Sequence, residues 1–213
     1  GGTREPIDGV RFIGNRSSGR MGRALATVAS RLGAQVTLVE ANPTAPAPAG
    51  VATVEVETTA ELREALSARF GDSDMLLMAA APADFRPVDA PEGKLERKGS
   101  RLVLELEPTE DIVAGLAGGR REDQFIVAFA AEWGPDGVPR AREKLIRKGV
   151  DLVVLNDVSD PGIGFDSEVN RVCVVGRDSD LELDTAPKIE IASGILEEAA
   201  RLAGWTTDMP GDG

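Results

Sequence analysis

The sequence contains no histidine and a single cysteine. Without histidine there is no His-based catalytic triad and no imidazole ligand for a metal. Any metal bound here is therefore expected to be a hard ion held by oxygen. The lone Cys173 cannot form an intrachain disulfide, which is compatible with a reducing compartment. It lies in the apolar run "RVCVV" and reads as a core thiol rather than a nucleophile. Aromatic residues are scarce, at 4%, whereas alanine and glycine are plentiful, a composition suited to close packing of helices on a sheet. Positive charge is also short: 24 Lys and Arg stand against 36 Asp and Glu, for a net charge of -12. Such a chain is a poor general binder of nucleic acid, which needs clustered cations. Cations that hold an anion must then be placed locally. The longest apolar stretches, such as "DMLLMAAAPA", fall far short of a membrane span. No signal peptide is visible in the opening "GGTREPID", and the expected location is cytoplasmic.

What is present is a regular alternation of strand and helix patterns. The 213 residues suit one domain, taken as residues 1–205, with "TTDMPGDG" (206–213) expected to be a disordered tail. "GVRFIG", "AQVTLVEA", "SDMLLMAAA", "DQFIVAFAAE" and "VDLVVLND" read as strands. Between them, "GRMGRALATVASRLG" has apolar spacing of three and four and a closing Gly33. "TTAELREALSARFG" reads as a helix with Thr59 as its N-cap, and "TEDIVAGLAG" as one opened by Thr109. "VPRAREKLIRKG" and "KIEIASGILEEAARLAG" are further helices. This order predicts an α/β fold, a mainly parallel sheet with helices on both faces. Short strands around 101–106 ("RLVLELE") and 170–176 ("NRVCVVG") are expected to form an antiparallel extension.

The segment "GNRSSGRMG" (14–22) lies between an apolar strand pattern and a helix. A glycine-rich turn there points backbone N–H groups outward, and the helix dipole favours negative charge at that spot. Ser17 and Ser18 can donate hydroxyl hydrogen bonds, while Arg16 and Arg20 add charge. Neither the Walker pattern nor the G-x-G-x-x-G fingerprint fits, because the glycines fall at 14, 19 and 22 and Gly19 is followed by Arg20 and Met21. The segment reads as a phosphate cradle, with a glycine turn required only for packing as the alternative. A second informative stretch, "APADFRPVDAPEGKLERKGS", follows the strand that ends near Ala81, where open α/β sheets bind ligands. Asp84 with Lys94, Arg97 and Lys98 suits a magnesium–triphosphate ligand. The alternative is a solvated loop with incidental charge.

These residues carry a family resemblance over nearly the whole chain. "GGTREPIDGVRFIGNRSSGRMG" resembles the opening of the phosphopantothenoylcysteine synthetases, the ligase half of the bifunctional bacterial coenzyme A enzyme. "MAAAPADFRP" is similar to the family's A-A-V-A-D-[FY], and "GKLERK" falls where the family has its K-x-K-K loop. "EPTEDI", "VAFAAE", "REKLIRKGVDLVVLND" and "GFDSEVNRV" follow in the family's order. The flavin-dependent decarboxylase that often precedes this domain is not in the sequence, which is read as either an excised domain or a monofunctional protein.

The resemblance implies a modified dinucleotide-binding (Rossmann-like) fold, a homodimer, CTP as co-substrate and Mg2+ with the triphosphate. It implies that the carboxylate of 4'-phosphopantothenate attacks the α-phosphate of CTP, and that the amine of cysteine then displaces CMP from the acyl-cytidylate. A carboxylate needs no base to attack, so such chemistry can run on positioning and charge. By the same resemblance, Asn15 serves turnover of the acyl-cytidylate, with a left-handed turn residue as its alternative. Arg11 matches a family arginine or is a structural ion pair. Ser17, Ser18 and Gly19 bind phosphate. Asp84 lies near nucleotide and metal, Ala80, Ala81 and Phe129 read the cytosine edge through their backbone, and Lys94 meets the triphosphate. Three positions depart from the family: Glu96 replaces a loop lysine, with Lys98 as a compensating cation, Pro82 replaces a valine, and Trp133 stands where threonine is common. These bear on the substrates. A paralogue using another carboxylate and amine, and a non-catalytic nucleotide-binding module, are the competing readings.

Overall fold

The computed structural model describes residues 1–97, 99, 101–132, 136–157 and 167–205. Lys98, Trp133 and the tail 206–213 therefore lie outside the described residues. In chain order the elements are β1 (Arg4–Pro6), β2 (Phe12–Gly14), α1 (Arg20–Arg31), β3 (Thr37–Ala41), β4 (Ala52–Val56), α2 (Thr59–Phe70), β5 (Met75–Met78) and β6 (Phe85–Pro87). They continue with β7 (Leu106–Pro108), α3 (Ile112–Gly118), β8 (Phe125–Glu132), α4 (Gly137–Lys148), β9 (Leu152–Asp157), β10 (Val169–Val175), β11 (Asp180–Pro187) and α5 (Lys188–Leu202).

The main sheet runs in the order β11-β10-β9-β8-β5. Strands β5, β8 and β9 are parallel, and β10 and β11 are antiparallel additions. The strand period of two divides the sheet's side chains between two cores. Ile126, Ala128, Val153 and Leu155 face Leu62, Ile112, Ala141 and Leu145 from α2, α3 and α4. Val127, Val154, Val172 and Val174 face Leu25 and Val28 of α1 and Ile191, Ile195 and Ala199 of α5. Ala141, Ala192 and Ala199 are fully enclosed, which is how the alanine-rich helices approach the sheet closely.

Several local expectations change. The "GVRFIG" run is not a strand of the main sheet: β2 pairs antiparallel with β1 as a separate hairpin, with Phe12 half exposed. Thr58, not Thr59, caps α2; its side chain accepts from Glu61 N and the Glu61 side chain reaches back, a reciprocal capping box. Asp111, not Thr109, caps α3, accepting from Ala114 N. Thr109 instead donates its hydroxyl to the Ala83 carbonyl at 2.6 Å. Only Leu106 of the 101–106 run is in a strand, and β7 pairs with β6 rather than with the main sheet. The antiparallel extension is instead β10 with β11, a strand the sequence patterns did not suggest, as they did not suggest β4.

A candidate anion and nucleotide site over the sheet's carboxyl edge

Parallel strands bring their carboxyl ends to one edge, so the loops after β5, β8 and β9 converge there. Over that edge lies a cavity of about 490 Å³. Its roof is residues 15–22, the glycine loop and the first turn of α1. Gly19 is the N-cap of α1 in the left-handed conformation, φ 74°, and no side chain caps the helix. A Cβ at Gly19 would lie 3.2 Å from both Glu40 Oε1 and the Gly1 nitrogen, so the turn requires glycine for space as well as for φ. With no acidic residue in its first turn, α1 brings the positive end of its dipole to the cavity that its first residues line. Arg23 anchors this helix start: its Nε donates to Glu40 Oε1 at 2.5 Å and its Nη1 to the Pro46 carbonyl at 2.8 Å.

One wall is the loop after β5. Asn15 Nδ2 donates to the Pro82 carbonyl at 2.8 Å, tying roof to wall. The bond uses main chain, so proline at this position does not remove it. The wall is also held from behind by a buried chain of donors. Ala83 N–H donates to Thr3 Oγ1 at 2.8 Å, Thr3 Oγ1 lies 2.9 Å from Thr59 Oγ1, and Thr59 Oγ1 donates to Glu5 Oε1 at 2.8 Å. Since the Thr59 proton goes to Glu5, the Thr3 hydroxyl donates to Thr59, and every member is satisfied. Ala81 is engaged on both main-chain groups by the first three residues, with Ala81 N to the Gly1 carbonyl and Thr3 N to the Ala81 carbonyl.

Helix α4 also lines the cavity. Lys144 Nζ donates to the Phe129 carbonyl at 3.3 Å, and Lys148 Nζ pairs with Asp111 Oδ1 at 2.8 Å. Burial opposes ionisation of Asp111, but the Lys148 hydrogen bond and the Ala114 N–H hold its carboxyl below the usual value. Toward the antiparallel side the cavity meets Asn156, Asn170 and Lys188.

Of the residues expected from sequence, Asn15, Ser17, Ser18, Gly19, Ala80, Ala81, Asp84 and Phe129 all line this one cavity. Arg11, Lys94 and Arg97 do not. Arg11 is clasped to Asp8 through Nε at 2.9 Å and through Nη2. The same Asp8 accepts from Leu95 N at 3.1 Å, and Arg11 Nη2 donates to the Leu95 carbonyl at 3.1 Å. Arg11 thus holds the residue next to Lys94, while Lys94 and Arg97 are exposed. The Arg11 hydrogen bond sets the Asp8 carboxyl well below its ordinary value. Burial, followed by the charges of Asp180 and Glu182, pushes the Cys173 thiol up, in keeping with an inert core thiol.

Sequence reasoning assigned no role to Lys144, Lys148, Asn156, Asn170 or Lys188. The one available signal was the i, i+4 spacing of Lys144 and Lys148, which puts both on one helix face. Among the described residues no three carboxylate or thiol groups gather as a metal cluster. Asp84 alone fits Mg2+ only as part of a nucleotide complex, because that ion usually takes one or two carboxylates with substrate phosphates. No helix among the described residues is long and apolar enough to cross a membrane.

A glycine-led helix start and two lysines line one cavity over the carboxyl edge of a parallel sheet, the geometry of an α/β protein suited to an anionic ligand. More narrowly, the chain belongs to the DNA/pantothenate metabolism flavoprotein C-terminal domain family, whose profile matches residues 1–202. It is 39% identical over 208 residues to the coenzyme A biosynthesis bifunctional protein CoaBC of Bacillus subtilis, covering 97% of this chain and 51% of that protein. It is 40% identical over 204 residues to a cysteine/cysteine sulfinic acid decarboxylase of an unknown prokaryotic organism, covering 95% of this chain and 56% of that protein. The chain thus spans about half the length of these curated relatives. The crystal structure of the C-terminal domain of a CoaBC protein superposes with a TM-score of 0.80 at 34% identity, covering 96% of this chain and 92% of that one.

Proposed function

We propose that this domain is a CTP-dependent amide ligase of coenzyme A biosynthesis that activates 4'-phosphopantothenate as an acyl-cytidylate and joins it to cysteine. The observation that carries this reading is the convergence of the glycine loop, Asn15, Asp84 and the α4 lysines on one cavity. The α1 N-terminus and Ser17 and Ser18 receive phosphate. Lys144 and Lys148 bring cations to the cavity wall, and Lys148 exchanges its Asp111 partner for the nucleotide's phosphates. Ala80 and Phe129 offer backbone groups to the base, and a site built on the cytosine edge leaves polar groups unpaired with adenine. Asp84 with the phosphates would hold Mg2+, which when bound supplies charge neutralisation on the triphosphate. Asn15 donates to the acyl carbonyl oxygen as it becomes an oxyanion, exchanging its bond to Pro82. Lys94, carried by the loop that Arg11 and Asp8 anchor, closes over the triphosphate with Arg97 or Lys98 beside it.

The active species is a homodimer. Val10 and Phe12 of the first hairpin and Phe85, Val88, Leu102 and Val103 of the β6–β7 arm are exposed. These exposed apolar side chains suit contact with a second copy of the chain.

Glu96, in place of a family lysine, favours a second reading, in which the same cytidylylation acts on another carboxylate and amine. Pyrophosphate release measured across carboxylates and nucleotides tests both. The first reading expects release with CTP and 4'-phosphopantothenate and little with ATP. Release with CTP and a different acid selects the second, and equal release from CTP and ATP removes the cytosine assignment.

A further inference from the structure

Asp8 lies outside the cavity, in the turn of the first hairpin, yet its side chain is fully enclosed. Its two oxygens serve different neighbours. Oδ1 accepts from Val10 N at 2.9 Å and from Arg11 N at 2.8 Å, which closes the turn. Oδ2 accepts from Arg11 Nε at 2.9 Å, from Arg11 Nη2, and from Leu95 N at 3.1 Å. Arg11 Nη2 also donates to the Leu95 carbonyl at 3.1 Å, so Leu95 is held by both of its main-chain groups. Gly9 brings the same turn against the loop: a Cβ there would lie 2.2 Å from the Glu92 carbonyl oxygen. Among the described residues, the bonds at Leu95 are the only hydrogen bonds that tie residues 89–97 to the rest of the chain. Leu95 is also the one residue of that stretch that is not exposed. Lys94, next to it, is exposed and makes no ion pair among the described residues, which leaves its cation for a ligand.

We propose that Asp8 is a positioning residue for the triphosphate: through Leu95 it fixes the main chain from which Lys94 reaches the ligand. The proposal rests on the ligase reading above and says what sets its loop cation in place. The strand after Arg11, β2, leads to Asn15 in the cavity roof, so one hairpin carries both the roof and the anchor of the loop. A lysine has a flexible four-carbon stem and finds a phosphate readily from a fixed Cα. On an unanchored loop the backbone would have to be ordered as well, at the expense of ligand binding. Here folding has already ordered it at Leu95, and the loop closes about that residue as a pivot. The Arg11 guanidinium neutralises Asp8, so the buried carboxylate does not draw Lys94 away from the phosphates.

The test follows pyrophosphate release in a single turnover of the whole chain with saturating CTP and 4'-phosphopantothenate. Asp8→Asn can keep its amide oxygen on the turn, but its NH2 group then faces the Leu95 N–H and the Arg11 guanidinium, donor against donor. Gly9→Ala leaves the carboxylate in place and pushes the Glu92 carbonyl off the turn. Each should slow release about tenfold, the scale of one lost hydrogen bond. A purely structural role would lower the rate whatever stands at position 94, whereas a positioning role acts only through Lys94. In a Lys94→Gln background both changes should therefore cost no more than about twofold. Circular dichroism reports that each variant is folded; if Asp8→Asn is not, Gly9→Ala is read alone by the same criterion. Tenfold losses that persist beside Lys94→Gln, or no loss in either variant, overturn the proposal. An unimpaired Lys94→Gln protein overturns it too and leaves the ligase reading standing. If the unaltered protein releases no pyrophosphate from these substrates, the ligase reading itself fails and the proposal with it.

Discussion

Replacing Thr3 by valine keeps the shape of the side chain and removes one hydroxyl from the chain Ala83–Thr3–Thr59–Glu5. Thr3, Glu5, Thr59 and Ala83 are each at most 4% exposed, so water cannot take the place of a lost partner. Thr59 keeps its bond to Glu5 and is not orphaned. Ala83 N–H is orphaned, at about 1–3 kcal/mol, and the Thr3–Thr59 bond is lost at about 1 kcal/mol. The sum is about 2–4 kcal/mol, a roughly thirty- to seven-hundred-fold shift in the folding equilibrium. The assay is urea unfolding followed by far-ultraviolet circular dichroism. The midpoint should fall with an unchanged slope, while Thr3→Ser, which keeps the hydroxyl, loses much less. The Ala83 amide should also exchange its proton faster, because the wall that carries Ala81 to Asp84 is released from behind. A Thr3→Val protein within about 0.5 kcal/mol of the parent would refute the reasoning, since an orphaned buried donor cannot cost so little.

Asn15→Asp should still make the acyl-cytidylate but convert it slowly, so the intermediate accumulates and is read by mass; failure to bind CTP would limit Asn15 to the phosphate cradle. Lys94→Gln should slow pyrophosphate release by about a hundredfold, the scale of losing one transition-state donor, while Glu96→Lys should be neutral or tighten CTP; steady-state kinetics on both checks this. The depressed pKa of Asp8 means that its clasp stabilises the fold fully above the ordinary value of 3.8 and progressively less as pH falls below it. Asp8→Asn should therefore show a constant stability deficit from neutral pH to about pH 5 that narrows only in more acidic solution, measured by denaturation at each pH.

The alternation of strands and helices and the glycine loop were legible because both are local. Gly33 closes α1 as its pattern implied, with φ 87°. The residues between Asn15 and Gly19 line the cavity because they lead into the α1 N-terminus, which opens on it, although the strand before them is not part of the main sheet. What was not legible depends on neighbours distant in sequence. "VRFI" and the alternating "RLVLELE" look like strands with a buried face, but Val10, Phe12, Leu102 and Val103 are exposed, and the pattern alone cannot tell a buried apolar face from an exposed one. Strand β11 is mostly exposed, and its apolar alternation is only Leu181 and Leu183, too short a signal to mark a strand. Lys144 and Lys148 sit among Arg140, Arg142 and Arg147 on a helix whose charges read as solvated, and only the packing of α4 on β8 and β9 turns those two toward the cavity. The capping threonine was displaced by one residue because Thr58 and Thr59 are adjacent, and Glu61 three residues on favours the first.

On the proposed function, this cavity makes an acyl-cytidylate. The most direct measurement mixes the protein with CTP, 4'-phosphopantothenate and Mg2+, without amine, and examines the quenched mixture by mass spectrometry. The expected product is a species joining 4'-phosphopantothenate to CMP, formed with one pyrophosphate and consumed when L-cysteine is added. Pyrophosphate release without that species, or none with any carboxylate, would contradict it.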